Sequence, residues 1–338
     1  MTRRALRIAK WFAVGLLALL LLLLLAGNLF GQYLLRHTRE HFPPPGKLVA
    51  LEGHRLHLHC TGEGKPTVLL ESGSGGWSTQ WAMVQAKVAA FTRVCSYDRA
   101  GLGWSDPGQR PQDIQSSVRD LGELLTRSGE TGPFVFAGWS FGGSISWLYV
   151  QDHWEQSAGL IMVDARPEGW QTWMDGFAPE LKASRERITT QLQLADSMGL
   201  GPAYSWLLLR NSGRDSIKGF APGIGDVLLD PGFTARMFGA MVDALKADDM
   251  SERQMQMRPL GNLPLIVIPH GREGMFGLPS DRERVAEMKW QEMQWQLTKK
   301  STDAKFEVAE MSGHGVPLEQ PDLVVDAIQE LVTKWREK

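Results

Sequence analysis

The sequence predicts an α/β protein, with a mainly parallel sheet covered by helices on both faces, preceded by one membrane-spanning helix. Short apolar or alternating runs, each bounded by glycine, proline or helix-like sequence, are typical of strands. They alternate with helix-like stretches, which favours a parallel sheet between two helical layers. A separate apolar run near the start is long enough to cross a bilayer. The predicted strands are residues 55–60, 67–71, 93–98, 134–137, 159–164, 263–269 and 306–310.

The first predicted element is a transmembrane helix over residues 11–30, which carry no charged side chain and include an unbroken leucine run. At about 1.5 Å per residue such a helix crosses a hydrocarbon core of about 30 Å. Residues 1–10 are basic, and the basic residues after the span are sparser, so the amino terminus is expected in the cytoplasm and the rest outside it. The competing interpretation is a cleaved signal peptide, but its apolar region would be shorter and would end in a small-x-small site.

The next segment, residues 31–46, ends in Pro43-Pro44-Pro45-Gly46, a composition typical of a stiff extended spacer. Residues 47–338 are then enough for one large α/β domain with an insertion. The formal net charge of -2 provides no basic field, so a nucleic-acid partner is not expected.

The most informative motif is Gly138-Trp139-Ser140-Phe141-Gly142, between the predicted strand 134–137 and a helix-like stretch. A G-x-S-x-G string alone is weak evidence, but its context is strong. A strand that enters a helix through one tight turn holds the serine on a strained bend, with its hydroxyl exposed above the sheet. The motif therefore predicts that Ser140 is a nucleophile.

A candidate general base follows much later in the chain, in the loop Ser312-Gly313-His314-Gly315 after the predicted strand 306–310. A loop histidine is usually a plain surface residue. His314, however, follows Ser140, as it does in proteins where a nucleophile elbow of this type is accompanied by the chain order serine, acid, histidine. We expect His314 to accept the proton of Ser140.

With these motifs the sequence resembles the α/β-hydrolases of the serine esterase and lipase-like type, over residues 47–336. Residues 69–76 (LLESGSGG) and 96–105 (SYDRAGLGWS) also carry the resemblance, although Trp139 stands where the family often has histidine. The resemblance implies an α/β-hydrolase fold, with strand 55–60 at an antiparallel edge and Ser140 near the middle of the sheet. It also implies a helical lid, for which residues 165–262 are available. The bulky apolar residues of that segment favour an apolar acyl pocket.

The resemblance implies two positions for the acid that orients His314. The loop after strand 263–269 is the common one, but Gly274 fills the usual slot there and Glu273 stands one place early. The end of strand 159–164 is the other, and it holds Asp164. We prefer Asp164, with Glu273 as the alternative acid and other carboxylates, such as Asp281, left open.

An oxyanion hole needs two N–H donors aimed at the developing negative oxygen, and together they lower the barrier by a few kcal/mol. The first is expected from Phe141, directly after the nucleophile. The second is expected from the glycine-rich loop after strand 67–71, where the resemblance implies Ser74.

Several other polar residues are interpreted as structural. Asp98 and Arg99 are expected to pair in a tight turn. His57 and His59 lack further ligands at zinc spacing, so they are interpreted as the polar face of a strand and no metal site is expected. Cys60 and Cys95 lie on strands that the family fold places side by side, which makes a disulfide plausible outside the cytoplasm; two buried free thiols are the alternative.

The function expected from these observations is hydrolysis of carboxylic esters or related acyl bonds by a Ser140, Asp164 and His314 triad through an acyl-enzyme, without a cofactor. The expected partners are a small, apolar acyl substrate and the lipid bilayer around the N-terminal helix. Acyl transfer and peptide hydrolysis are alternatives on the same triad. A membrane-tethered binding protein without catalysis is the alternative from another class.

Overall fold

One mixed sheet organises the protein, in a computed structural model that describes residues 3–108, 112–211 and 224–338. Within these residues the strand order is β1-β2-β4-β3-β5-β6-β7-β8. The β1-β2 and β2-β4 pairs are antiparallel, and all later pairs are parallel. The strands are β1 Lys47–Ala50, β2 Arg55–Thr61, β3 Thr67–Glu71, β4 Val94–Tyr97, β5 Phe134–Trp139, β6 Ser157–Val163, β7 Leu265–Ile268 and β8 Ala304–Phe306.

Helices connect the strands and cover both faces of the sheet. In the described part of the chain, the first helix precedes the sheet and five more lie between β6 and β7. The helices are α1 Arg3–His41, α2 Ala82–Val88, α3 Ile114–Ser128, α4 Phe141–Asp152, α5 Trp170–Phe177, α6 Pro179–Ser197, α7 Gly201–Asn211, α8 Ile224–Leu229, α9 Pro231–Gln254, α10 Ser280–Thr298, α11 Val316–Glu319 and α12 Pro321–Arg336.

The core is divided by the sheet because successive side chains of a strand point to opposite faces. On β3, Leu69 belongs to the cluster that packs under α3 and α4, whereas Leu70 belongs to the cluster under α2 and α12. Phe136 and Ala137 on β5 are divided in the same way. Burial on both faces explains why the central strands are continuous apolar runs.

The two ends of the sheet differ from the sequence prediction. An additional strand, β1, pairs with β2 and forms the antiparallel edge, so β2 is not the outermost strand. It is short and alternates too little to be recognised. The last strand, β8, covers Ala304–Phe306 and so ends where the predicted strand 306–310 begins. In the described residues after Phe306, the remaining pairing with the sheet is an isolated bridge between His270 and Ala309.

The N-terminal helix is longer than the predicted span. It continues to His41 because no proline interrupts it before Pro43, so only residues 42–46 of the predicted spacer are non-helical. On length and composition, α1 could cross a bilayer, a test that a signal sequence also passes. Its second half packs on α7 and α9, two helices of the segment 165–262. Residues 212–223 of that predicted lid lie outside the described residues.

The two cysteines of the chain lie opposite each other on adjacent strands. Cys60 on β2 is the register partner of Cys95 on β4. Their sulfur atoms are joined in a disulfide.

Candidate active site

Ser140 lies on a strained turn between β5 and α4. Its backbone φ is 55°, in the left-handed region that side chains rarely adopt. Glycines make this turn sterically possible. A Cβ added at Gly142 would lie 2.4 Å from the carbonyl oxygens of Glu71 and Ser72, and one at Gly138 would lie 2.5 Å from the backbone of the following helix. The elbow is thus pressed against the end of β3.

Three side chains of different elements form a continuous hydrogen-bonded series. The Ser140 Oγ and the His314 Nε2 are 3.0 Å apart. The Nδ1 of His314 and the Oδ2 of Asp164 are 2.5 Å apart. The Asp164 side chain is fully buried, whereas that of His314 is 29% exposed. The outer end of the series is therefore accessible and its inner end is shielded from water.

Asp164, directly after β6, is held in an unusual backbone conformation with a φ of 41°. Four N–H groups surround its carboxylate. Its Oδ1 accepts from the Trp290 indole at 2.7 Å and from the backbone of His270 at 3.2 Å. Its Oδ2 accepts from His314 at 2.5 Å and from the His270 ring at 2.7 Å. Burial alone would raise the pKa of Asp164, but these hydrogen bonds and the histidine charges lower it to about 2.

A second histidine, His270, lies behind Asp164 at the end of β7. Its Nδ1 binds Asp164, and its Nε2 lies 2.8 Å from the Oε2 of Glu287 on α10. Burial alone would lower the pKa of His270, but the two carboxylates raise it to about 9. Burial raises the pKa of Glu287, but its bonds to His270 and to the Gly274 and Met275 N–H groups lower it overall.

Sequence reasoning missed this support for the acid. Four α10 side chains, at helical spacings of three and four residues, contact the ends of β6 and β7. They are Glu287 and Trp290, which bind His270 and Asp164, and two glutamines. Gln291 donates to the His270 carbonyl at 2.6 Å, and Gln294 donates to the Ala165 carbonyl at 2.5 Å. This stripe of large and polar residues on one face was the available sequence signal.

The alternative acids lie elsewhere. Glu273 is exposed in the loop after β7, and Asp281 is exposed in the first turn of α10. Among the described residues, the structure records no hydrogen bond from either carboxylate to His314. Asp164 is the acid that the fold brings to His314.

The predicted oxyanion donors both lie near Ser140. Ser74 and Phe141 line the same small cavity, of about 20 Å³, under Ala240 and Met241 of α9. The loop that carries Ser74 passes close to the nucleophile, because a Cβ at Gly73 would lie 3.2 Å from the Ser140 Cβ. The cavity is narrow, with the α9 side chains packed over it.

Arg99 shapes the loop that carries Ser74. Its guanidinium binds the buried Glu71 carboxylate at 2.5 Å and the carbonyls of Ser72 and Gly73 at 2.6 and 2.5 Å. Burial raises the pKa of Glu71, and Arg99 and the Tyr97 hydroxyl oppose part of that rise. The turn is structural, but Arg99 is not paired with Asp98 as the sequence suggested.

Asp98 has a different partner from the one expected. Its Oδ2 binds the Nδ1 of His57 at 2.9 Å, and both side chains are fully buried. Its carboxylate also accepts from the backbones of Ser78 and Trp104, each at 2.8 to 2.9 Å. His57 is thus a buried partner in the turn, and only the half-buried His59 fits the predicted polar strand face.

Trp139, the departure from the family pattern, contacts the loop that carries His314. Its indole N–H donates to the His314 carbonyl at 2.7 Å, and the two rings are 5.4 Å apart. The residue before the nucleophile therefore helps to position the histidine loop.

A metal could in principle use the donor atoms of Asp164, His270 and His314, which lie within 4.8 Å of one another. These atoms are already engaged in hydrogen bonds with each other, with Ser140 and with Glu287. We therefore assign no metal to this cluster. The arrangement is suited to moving a proton from the serine hydroxyl to the imidazole and stabilising the resulting charge.

Comparison with known proteins agrees with this geometry at the level of fold. The profile of a family described as the alpha/beta hydrolase family matches residues 56–327. An esterase from Thermogutta terrifontis is 21% identical, with a TM-score of 0.55, over 86% of this chain and 98% of that chain. The epoxide hydrolase CorEH is 18% identical, with a TM-score of 0.54, over 85% of this chain and 98% of that chain.

Curated relatives differ from this chain in length. An uncharacterised Bacillus subtilis protein is 23% identical over 55% of this chain and 58% of its own length. The chain spans 18%, 58% and 56% of the lengths of three curated relatives that it matches.

Proposed function

The chain belongs to the alpha/beta hydrolase family, and we propose that it is a serine hydrolase that cleaves carboxylic esters or related acyl bonds through an acyl-enzyme. The observation that carries this proposal is the series Ser140, His314 and Asp164, with separations of 3.0 and 2.5 Å. Family members that use an aspartate nucleophile open epoxides or remove halides; here a serine occupies the elbow, which favours acyl chemistry.

In the proposed mechanism, the Ser140 Oγ attacks the acyl carbonyl carbon while His314 Nε2 accepts its proton. The N–H groups of Phe141 and Ser74 bind the resulting oxyanion. Protonated His314 then donates the proton to the leaving alcohol as the carbon–oxygen bond breaks. Water attacks the acyl-enzyme in the second half, with His314 again acting as base. Asp164 fixes the imidazole tautomer and stabilises its positive form.

The proposed substrate is a small molecule with an apolar acyl group. Phe141, Leu102 and Met241 are among the residues that line the cavity beside Ser74. This cavity, of about 20 Å³, is too small for an acyl chain, and we propose that helices of segment 165–262 move to enlarge it. This supports the proposal that the segment is a lid.

We further propose that α1 anchors the enzyme in a membrane, with the amino terminus in the cytoplasm and the catalytic domain outside. The apolar length of α1 and the basic residues before the span support this orientation. The Cys60–Cys95 disulfide is consistent with an oxidising compartment. A protease added to intact cells should reach residues beyond Pro45; complete protection would contradict the orientation.

The proposed function is tested with a fluorophosphonate probe on the full-length protein and on Ser140→Ala. We expect labelling of the first and none of the second, because the probe reacts only with an activated serine. Equal labelling of both, or of neither, would contradict the proposal and favour a tethered binding protein. A series of acyl esters of increasing chain length would then report the depth of the acyl pocket. Offering water, an alcohol or an amine as the acceptor would separate hydrolysis from acyl transfer.

A further inference from the structure

We propose that His270 is a permanently charged positioning residue, an imidazolium held between Asp164 and Glu287 that fixes the carboxylate serving His314. The inference rests on the proposed function, because it concerns the acid that orients the general base. His270 is not expected to touch the substrate, since it is 1% exposed and lies behind Asp164.

The first step concerns the proton count on His270. Its Nδ1 faces the Asp164 carboxylate at 2.7 Å and its Nε2 faces the Glu287 carboxylate at 2.8 Å. A neutral imidazole has one N–H and one acceptor nitrogen, so it can donate to only one of these acceptors. The second contact then needs a proton on the imidazole or on a carboxyl group.

The second step excludes a proton on either carboxyl group. The Oδ1 of Asp164 already accepts the Trp290 indole and His270 backbone N–H groups, and the pKa of Asp164 is lowered to about 2, so this group is ionised at neutral pH. The other oxygen of Glu287 accepts the backbone N–H groups of Gly274 and Met275, at 2.9 and 3.1 Å. Both groups are therefore carboxylates, and the proton belongs to His270. The raised pKa of His270 agrees with this count.

The third step is the effect on the acid. The backbone of Asp164 is in the left-handed region, and its side chain must hold one orientation for His314. His270 contributes two of the four donors, one from its ring and one from its backbone. Because the His270 ring is itself held at both ends, it constrains Asp164 more tightly than a side chain bound at one end.

The fourth step is the effect on pH dependence. The rings of His270 and His314 contact the same carboxylate oxygen of Asp164. A positive charge on His270 therefore disfavours a second positive charge on His314. Two carboxylates contact the His270 ring directly, Asp164 after β6 and Glu287 on α10. On the outer side of His270 lies a cavity of about 590 Å³, whose lining includes Glu273, Glu292 and Glu310. Removing the His270 charge makes protonation of His314 easier. Activity is then lost at a higher pH on the acid side.

The first test compares pH profiles of kcat/KM for the full-length protein, His270→Gln, and the double variant His270→Gln with Glu287→Gln. We expect the acid limb of His270→Gln to move up by about one pH unit. The double variant removes a positive and a negative charge together, so its acid limb should lie between the other two. Asp281→Asn, which neutralises an exposed carboxylate in the first turn of the same helix and outside that cavity, is the matched control and should leave the profile unchanged.

A purely structural role predicts a different pattern. In that case kcat falls in both His270 variants, most in the double variant, while the acid limbs of all four proteins coincide. Coincident acid limbs would overturn the proposed charge effect.

The second test is independent of activity. In protein labelled with ¹⁵N-histidine, both ring nitrogens of His270 should carry protons between about pH 6 and pH 8, with the signals assigned by their loss in His270→Gln. A neutral ring in that range would overturn the proposal. If the ring is doubly protonated but the fluorophosphonate probe fails to label Ser140, the proposed function fails and the charge state of His270 stands.

Discussion

Two regions of the protein are held together by opposite kinds of contact. Beneath Ser140, two buried clusters form what we call the polar frame: Asp164 with His270 and Glu287, and Arg99 with Glu71. Elsewhere, the second half of α1 meets helices of the proposed lid, mainly through small and apolar residues together with a hydrogen bond between Thr38 and Asp230; we call this region the lid–anchor contact.

The lid–anchor contact depends on close backbone approach. A Cβ at Gly31 would lie 2.7 Å from the Pro202 ring, and one at Gly27 would lie 3.1 Å from Leu200. Phe30 and Trp206 meet edge to face, with ring centroids 5.8 Å apart. Contacts of this kind are worth little individually and can rearrange.

The difference shows where the protein tolerates change. In the polar frame, removing one partner leaves a buried charge or donor unpaired, which costs several kcal/mol. In the lid–anchor contact, a substitution changes the packing but leaves no buried charge without a partner. We therefore expect substitutions in the polar frame to lower kcat strongly. Substitutions in the lid–anchor contact should instead change the access of substrate to the site.

The largest effect is expected for Asp164→Asn. The amide can replace the shape of the carboxylate and tolerates the backbone conformation, but it cannot accept four N–H donors or stabilise charged His314. We expect kcat to fall by about 10³-fold to 10⁴-fold, measured with a soluble ester.

Glu273→Gln is the matched control for the acid, because Glu273 is exposed and lies in the loop after β7. Its kcat should stay within about twofold of the original protein. Loss of activity in Glu273→Gln alone would show that the acid is Glu273 and that the Asp164 corner only supports the fold.

An intermediate effect is expected for Arg99→Gln. This change leaves Glu71 buried without its partner and releases the carbonyls of Ser72 and Gly73. We expect a loss of unfolding free energy of about 3 kcal/mol and a fall in kcat of about 100-fold, because the Ser74 donor loses its position. Thermal unfolding and kcat measure the two effects separately.

A second variant separates the charge of Arg99 from its role in the loop. Adding Glu71→Gln removes the stranded charge, so stability should recover while kcat does not. Arg93→Gln is the control, because Arg93 also pairs with a glutamate, Glu130, but lies far less buried. If kcat recovers together with stability, Arg99 has no role in shaping the loop.

The smallest effect is expected for Gly31→Val in the lid–anchor contact. The added side chain overlaps Pro202 and should displace α7 from α1, an overpacking cost of about 1–3 kcal/mol. In vesicles, hydrolysis of a membrane-embedded long-chain ester should fall about threefold to tenfold. Hydrolysis of a soluble short-chain ester should change little, because the polar frame is intact.

Gly15→Val on the same helix is its control, since a Cβ there meets no atom of the described residues within 4 Å. Equal losses in both variants would mean that the helix itself, rather than its contact with the lid, controls activity. Equal losses on both esters in Gly31→Val would show that the contact supports the fold of the catalytic domain.

The fold class was predictable because the central strands are buried on both faces and must be apolar. The α/β-hydrolase architecture is confirmed by the sheet order and by the family match. The edges were harder to predict: β1 has four residues and β8 has three, and both lie at the exposed ends of the sheet. Short strands with at most one buried side chain carry too little pattern to be recognised.

The site was predictable in part. Ser140 stands in a local motif whose glycines have a direct steric reason, and His314 follows it in the chain order that the family resemblance implies. Asp164 was preferred from its position at a strand end, and the structure places it beside His314. The surroundings of Asp164 were not foreseen, because His270 follows β7 whereas Trp290 and Glu287 lie on α10, and no local motif joins that loop to that helix.

By itself, the sequence determined the elements of this protein: which runs are strands, which turn carries the serine and which helix is apolar enough for a membrane. These follow from periodicity and local sterics, which act over a few residues. Only the tertiary structure decided which acid faces His314, that a second histidine lies behind it, and that α1 contacts the lid. Those choices depend on where side chains from distant elements meet, and on the balance of burial, charge and hydrogen bonding at that point.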